Sequence, residues 1–221
     1  MEEYCHDGVN AAVVEGTVNE AHQRVLERIL SHHPRVVGFC CYIWNISAVL
    51  GLVKLLKDEL CDCIIILGGP EVSYNAGEIL YNSPLVDYVI SGEGEEPFAL
   101  LLLAIYSGAE PENTPGLCYR KGQNYVIAEP YVSCDIPPSP YNDRYIAALN
   151  GRIAYLETSR GCPYSCAFCL SGRCGGVRFY DLERVKGEIL LLAGSGARTV
   201  KLVDRTFNAN IKRAKELLRF I

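Results

Sequence analysis

Short, nearly continuous apolar runs recur along this chain. Each is followed by a turn, in two cases rich in glycine, and then by a stretch with helical spacing. Residues 35–42 read Arg-Val-Val-Gly-Phe-Cys-Cys-Tyr. Residues 63–67 read Cys-Ile-Ile-Ile-Leu and end in Gly68-Gly69-Pro70. Residues 86–90, Val-Asp-Tyr-Val-Ile, lead into Ser91-Gly92-Glu93-Gly94-Glu95. Such runs are short for helices and too apolar to leave one face in water, so they read as fully buried strands. Residues 46–60, 75–81 and 95–106 carry the intervening helices. Strands and helices in alternation imply an α/β fold, a doubly wound parallel sheet with helices on both faces. Its crossovers are expected to be right-handed. Ligands of such sheets bind beyond the carboxyl ends of the strands. Those ends are Cys40–Trp44, Gly68-Gly69-Pro70 and Ser91–Glu95.

Residues 12–15 (Ala-Val-Val-Glu) read as a further short strand. Thr17 and Glu20 have the spacing of a capping box, ahead of a helix with an apolar stripe of Ala21, Val25, Leu26, Ile29 and Leu30. A break follows the third helix at residues 107–116. Leu117–Arg120 and Tyr125–Ala128 flank Lys121-Gly122-Gln123-Asn124 and predict a β-hairpin. Residues 130–142 hold four prolines without periodicity and read as a linker. A second βα alternation starts near Gly151, with a strand at 152–157 and then a cysteine-rich loop. A helix at 181–193, a strand at 199–204 and a helix at 209–220 complete it. The expected divisions are thus residues 1–110, 111–150 and 151–221.

Composition narrows the class. Hydrophobic residues make up 49% of the 221 and the net charge is −5, an ordinary globular balance. No run of 18 or more uncharged apolar residues occurs, and the Met1-Glu2-Glu3 start lacks the features of a signal peptide. The expected location is the cytoplasm, with no membrane partner. The acidic chain, without interleaved basic and aromatic residues, gives poor support to nucleic-acid binding. Basic residues outnumber acidic ones after residue 172, but they are scattered and read as solvated helix faces. Eleven cysteines are many for this length. Without a secretion signal they read as reduced thiols, either metal ligands or small buried residues.

Three of them stand together in Cys162-Pro-Tyr-Ser-Cys166-Ala-Phe-Cys169, just after a predicted strand. Thiolates packed this closely repel one another and favour a soft cation or cluster. Structural zinc usually takes four ligands, as does a ferredoxin cubane. Three ligands on one loop leave one metal position open to a substrate or cofactor. Cys174 could be a fourth ligand, so zinc held by Cys162, Cys166, Cys169 and Cys174 stays open on spacing alone.

The stretch Glu157-Thr-Ser-Arg-Gly-Cys162-Pro-Tyr-Ser-Cys166-Ala-Phe-Cys169 resembles the signature loop of radical S-adenosylmethionine enzymes. The resemblance implies that Cys162, Cys166 and Cys169 hold a [4Fe-4S] cluster. Its fourth iron would chelate the amino and carboxylate groups of S-adenosylmethionine. One-electron reduction would then yield a 5′-deoxyadenosyl radical. Phe168 would pack near the adenine, its plainer reading being a core aromatic. Val203-Asp204-Arg205-Thr206-Phe207-Asn208 resembles the acidic variant of the family's second motif, found where a cobalamin-type domain precedes the radical domain. Asp204 would be the matching acid, and Arg205 stands where a second acid is usual. A helix N-cap is the plainer role for Asp204.

The N-terminal α/β part, the linker and the cysteine loop together resemble the cobalamin-binding radical S-adenosylmethionine class. Gly68, Gly69, Gly92 and Gly94 lie in stretches similar to that class's recurring loops, where glycine would admit the corrin close to backbone. Tight turns are the alternative. Cys40-x-Tyr42 stands where cobalamin domains often carry Ser-x-Leu. The Asp-x-His-x-x-Gly motif is absent, and His6, His22, His32 and His33 do not form it. Cobalamin would then be held without a histidine ligand, or the domain would have lost it.

By the same resemblance, residues 151–221 are the first βα units of a partial TIM barrel. Only 52 residues follow Cys169, enough for about two of six units. The chain therefore reads as an internal fragment of a longer protein, poorly soluble and inactive alone, with apolar edges open at 152–157 and 199–204. The implied reactions are cobalamin-dependent methyl transfer, radical rearrangement or ring formation. The substrate, small molecule or peptide, stays unnamed, and no acid, base or nucleophile is singled out. An electron donor such as flavodoxin or ferredoxin is the implied partner. Two other readings remain: a zinc or electron-transfer iron–sulfur module without radical chemistry, and a regulatory domain sensing a nucleotide or corrinoid through residues 12–107.

Overall fold

The apolar runs at 35–42, 63–67 and 86–90 become neighbouring strands of one sheet. The computed structural model describes residues 9–173 and 176–221, and the chain divides into two compact units, Met1–Ser133 and Cys134–Ile221.

In the first unit, β1 (Val36–Cys40), β2 (Ile64–Gly68) and β3 (Tyr88–Ile90) run parallel. Val36 pairs with Ile64 and Ile66 with Tyr88. Four helices connect them: α1 (His22–Leu30) before β1, α2 (Ile46–Glu59) after it, and α3 (Pro70–Ser73) with α4 (Ala76–Asn82) after β2. A fifth, α5 (Glu95–Ser107), follows β3. Side chains alternate across a strand, and β2 uses both faces. Ile65 and Leu67 join Leu26 of α1, Leu56 of α2 and Leu80 of α4. Ile66 joins Ile90, Leu101 and Leu102 on the other side. Each fully buried leucine here contributes about 1.5–3 kcal/mol. Helices thus cover both faces, as the alternation predicts.

Three features differ from the sequence reading. Residues 12–15 form no strand: Val14 packs on the core while Val13 is 79% exposed. No neighbouring strand among the described residues offers them a ladder. For the same reason β1 is an edge strand of the sheet formed by the described residues, half-exposed rather than buried. The capping box is also absent. Ala21 precedes α1 with no side-chain cap bond, and Glu20 accepts two bonds from Arg28 at 2.6 and 2.9 Å instead. Third, the hairpin of β4 (Leu117–Lys121) and β5 (Asn124–Val126) extends the sheet, antiparallel to β3. Gly116 makes this possible: its φ is +67° and a Cβ there would lie 2.4 Å from the Ser91 carbonyl oxygen.

The second unit opens with α6 (Asp143–Ala147), just after the stretch read as linker and within the expected middle division. Asn142 caps it by accepting the Tyr145 N–H at 2.9 Å. β6 (Ile153–Leu156) runs parallel to β9 (Thr199–Leu202), with α7 (Leu182–Ala193) between them and α8 (Ile211–Phe220) after. This is the expected βα alternation. Between β6 and α7 lies an antiparallel hairpin, β7 (Ser159–Cys162) with β8 (Gly176–Phe179). The predicted strand therefore ends at Leu156, and a second short strand carries the first cysteine. Leu156 and Leu192 sit in one small core; Val185 and Leu217 sit in another. Ile153, Tyr155, Val200 and Leu202 are exposed, as expected for strands with open apolar edges. No described helix is long and apolar enough to cross a membrane.

Candidate cofactor sites

At the carboxyl ends of β1–β3 the loops are tied to one another. The Cys41 N–H donates to the Gly68 carbonyl at 2.7 Å, and the Cys41 carbonyl accepts the Glu71 N–H at 3.2 Å. Gly69 has φ +106°, and a Cβ there would lie 2.6 Å from the Cys41 oxygen. Gly92 has φ +95° and a Cβ there would meet the Tyr131 backbone oxygen at 2.2 Å. Chain crossings therefore require both glycines. Gly68 faces open space, and Gly94 stands at the start of α5 with only an ordinary side-chain neighbour. These two leave room for a group to approach the backbone.

Spacing did not single out Ser73. Its hydroxyl donates to the Gly69 carbonyl at 2.8 Å and accepts the Gly92 N–H at 3.3 Å. Ser91 Oγ donates to the Ser73 carbonyl at 2.6 Å. Beyond β1, Tyr42 and Trp44 stack with ring centroids 4.5 Å apart and planes 9° apart. Both are exposed, as is Ile43 between them. Asn45 fixes this turn, accepting the Tyr42 N–H at 2.7 Å and donating to the Cys40 carbonyl at 2.9 Å. Cys41 is fully buried, and burial pushes its thiol up to about 12, with the neighbouring Cys40 adding to the rise. It is a neutral packing group. His22 is on α1, and His32 and His33 follow that helix. His6 lies outside the described residues. The strand ends thus offer open glycine backbone and a flat apolar platform, features that fit a large planar group.

In the second unit the cysteine loop springs from the β7–β8 hairpin. Gly161 has φ +96°, and a Cβ there would overlap the Gly176 oxygen. Cys162 ends β7 and is half-buried, while Cys166 and Cys169 are exposed. A turn bond runs from the Cys169 N–H to the Cys166 carbonyl at 3.0 Å. Phe168 is 93% exposed, so it is not a core aromatic. Cys174, the alternative fourth ligand, lies outside the described residues.

Among the described residues no three His, Cys, Asp or Glu side chains gather as a site for one metal ion. An iron–sulfur cube asks for something different, because each thiolate binds its own iron. Three thiols on a projecting loop, two of them exposed, fit such a cube.

Asp204 underpins this loop. Its carboxylate accepts the Thr158 N–H at 3.2 Å, the Thr158 hydroxyl at 2.8 Å and the Ser159 hydroxyl at 2.5 Å. It is not the cap of α8, because Asn210 accepts the Arg213 N–H there at 3.1 Å. Arg205 is exposed. Arg213 donates to the Thr158 carbonyl at 3.2 Å, and burial lowers its pKa, opposed by nearby Asp204. Glu157 accepts from Arg160 Nη2 at 2.8 Å and from the Tyr180 hydroxyl at 2.5 Å. Burial, then that bond, push the Tyr180 phenol up. Every residue from Glu157 to Arg160 thus enters a polar bond directly below the cysteines.

A parallel-sheet domain with open strand ends, followed by a unit that carries three clustered thiols, has the outline of a ligand-binding α/β domain with a thiol-rich loop after it. Residues 2–102 match the family model described as the B12 binding domain. The chain is 32% identical over 191 residues to the 2-(S-pantetheinyl)-carbapenam-3-carboxylate methyltransferase of Streptantibioticus cattleyicolor, covering 79% of this chain and 28% of that protein. It is also 32% identical over 189 residues to the cobalamin-dependent radical SAM methyltransferase TokK of Streptomyces tokunonensis, with the same coverages. The solved radical S-adenosylmethionine methyltransferase TsrM from Kitasatospora setae superposes with a TM-score of 0.69 at 21% identity, covering 89% of this chain and 42% of that one. By these matches the chain is similar to cobalamin-dependent radical SAM proteins. It spans under a third of the length of the two curated relatives.

Proposed function

We propose that this chain supplies the corrinoid domain and the cluster loop of a radical S-adenosylmethionine enzyme, acting as a methyltransferase. The observation that carries this reading is the projecting loop of Cys162, Cys166 and Cys169, in a chain whose first half matches the B12 binding domain.

Cys162, Cys166 and Cys169 would hold a [4Fe-4S] cluster. Bound there with one iron open, it would supply the electron that cleaves S-adenosylmethionine to a 5′-deoxyadenosyl radical. Asp204 acts on the loop through Thr158 and Ser159, holding β7 against the end of β9. Phe168, exposed beside Cys169, is available to cover the adenine. In the first unit, Gly68 and Gly94 leave backbone open and Tyr42 with Trp44 offers an apolar platform. Cobalamin, when bound there, would supply a methyl carrier. Gly69 and Gly92 shape the same loops by letting the chain cross itself. The electron donor would be a small redox protein such as a flavodoxin or ferredoxin, and the methyl acceptor a small molecule or peptide. Barrel closure, the cytoplasmic setting and the reaction belong to the whole protein and are part of the proposal.

Anaerobic reconstitution with iron and sulfide, followed by EPR of the reduced protein, tests this reading. A [4Fe-4S]⁺ signal that shifts on adding S-adenosylmethionine is expected. Zinc retained in place of iron would overturn it in favour of a metal module.

A further inference from the structure

The sulfur of Cys162 lies 3.3 Å from the hydroxyl oxygen of Thr206, a residue 44 positions away. The β6–β9 pairing and the bonds that Asp204 accepts from Thr158 and Ser159 bring the two together. Thr206 precedes a 3-10 turn at Phe207–Ala209, where a threonine usually uses its hydroxyl as a cap. Here it makes no side-chain cap bond. Thr206 and Cys162 are both half-buried, whereas Cys166 and Cys169 are exposed. The contact is therefore partly shielded from water at one of the three thiols.

The direction of the bond follows from chemistry. A thiol bound to iron has lost its proton and can only accept, so the threonine hydroxyl must donate. A donor at a cluster sulfur stabilises added negative charge, and such bonds are among the factors that set a cluster's potential. We propose that Thr206 is a positioning residue that raises the reduction potential of the cluster held by Cys162. It would ease one-electron reduction by an external donor. The inference rests on the cluster reading above.

The test is a redox titration of the reconstituted full chain, followed by EPR, for wild type, Thr206→Val and Thr206→Ser. Iron and sulfide content are measured first. With the cluster loaded in all three, Thr206→Val should lower the equilibrium constant for reduction about tenfold, which is about 59 mV for a one-electron couple. Thr206→Ser should restore most of it. Equal potentials in the three proteins overturn the proposal and leave the cluster reading intact. Absence of a cluster in the wild type overturns both. If Thr206→Val fails to load, Thr206→Ala takes its place. If neither loads while Thr206→Ser does, the hydroxyl is a structural requirement of the loop and the tuning role falls.

Discussion

Gly69 carries one of the most position-specific demands in the first unit. Its backbone conformation is one that side-chain-bearing residues rarely adopt, and a Cβ would press on the Cys41 oxygen. Gly69→Ala should therefore destabilise the chain by about 2–3 kcal/mol or more, seen as a lower urea midpoint. Nearby Cys41 gives a pH-dependent signature. Its thiol has a reference value of 9.0 and rises to about 12 in the fold. A group held neutral in this way adds stability that is complete below about pH 9 and is lost as pH climbs toward 12. Thermal unfolding should thus hold steady from pH 7 to 9 and fall above it, with a smaller fall in Cys41→Ala. A scan with equal alkaline slopes in both proteins would count against this account. In the second unit, Asp204→Asn removes a charge that accepts bonds from two hydroxyls and one amide. The expected cost is about 1.5–3 kcal/mol, with reduced iron loading under otherwise identical reconstitution.

At the scale of elements, the parallel strands were readable because burial on both faces leaves an unbroken apolar run. Ile64–Leu67 has no other stable use in a soluble chain. Leu56 on α2 is fully buried against this strand layer. Leu56→Ala should cost about 2–5 kcal/mol, measurable by chemical denaturation. What escaped the sequence was whatever depends on a neighbour. Ala12–Glu15 has strand-forming residues, yet a strand exists only where another offers its hydrogen bonds. Thr17 and Glu20 have the right spacing for a capping box, but Arg28 competes for the carboxylate and takes it. The hairpin at Leu117–Val126 was legible as a hairpin, while its docking on β3 was not, since local spacing does not encode which edge a ribbon joins. The cysteine loop was legible because three thiols in eight residues restrict the chemistry so tightly. Ser73 and Thr206 were not, because a lone hydroxyl has no spacing signature and acquires its role from what the fold brings beside it.

For the molecule as a whole, each unit has its own core and its own candidate cofactor. Removing all three loop thiols, by Cys162→Ala, Cys166→Ala and Cys169→Ala together, should abolish iron binding. Binding of aquocobalamin, followed by its visible absorbance, should survive. Loss of both together would mean that the corrinoid site depends on the cluster loop.

The order of the first sheet has one more consequence. Its strands lie side by side in the same order in which they occur along the chain. No described strand must insert between two that are already paired. As the polypeptide leaves the ribosome amino end first, β2 can pair with β1, then β3 with β2, and the hairpin can close the row last. Arg120 then fastens that final ribbon, donating to the carbonyls of Leu80 at 2.8 Å and Pro84 at 2.9 Å, both from the stretch just before β3. The first unit can thus be assembled during synthesis, before Cys162, Cys166 and Cys169 leave the ribosome.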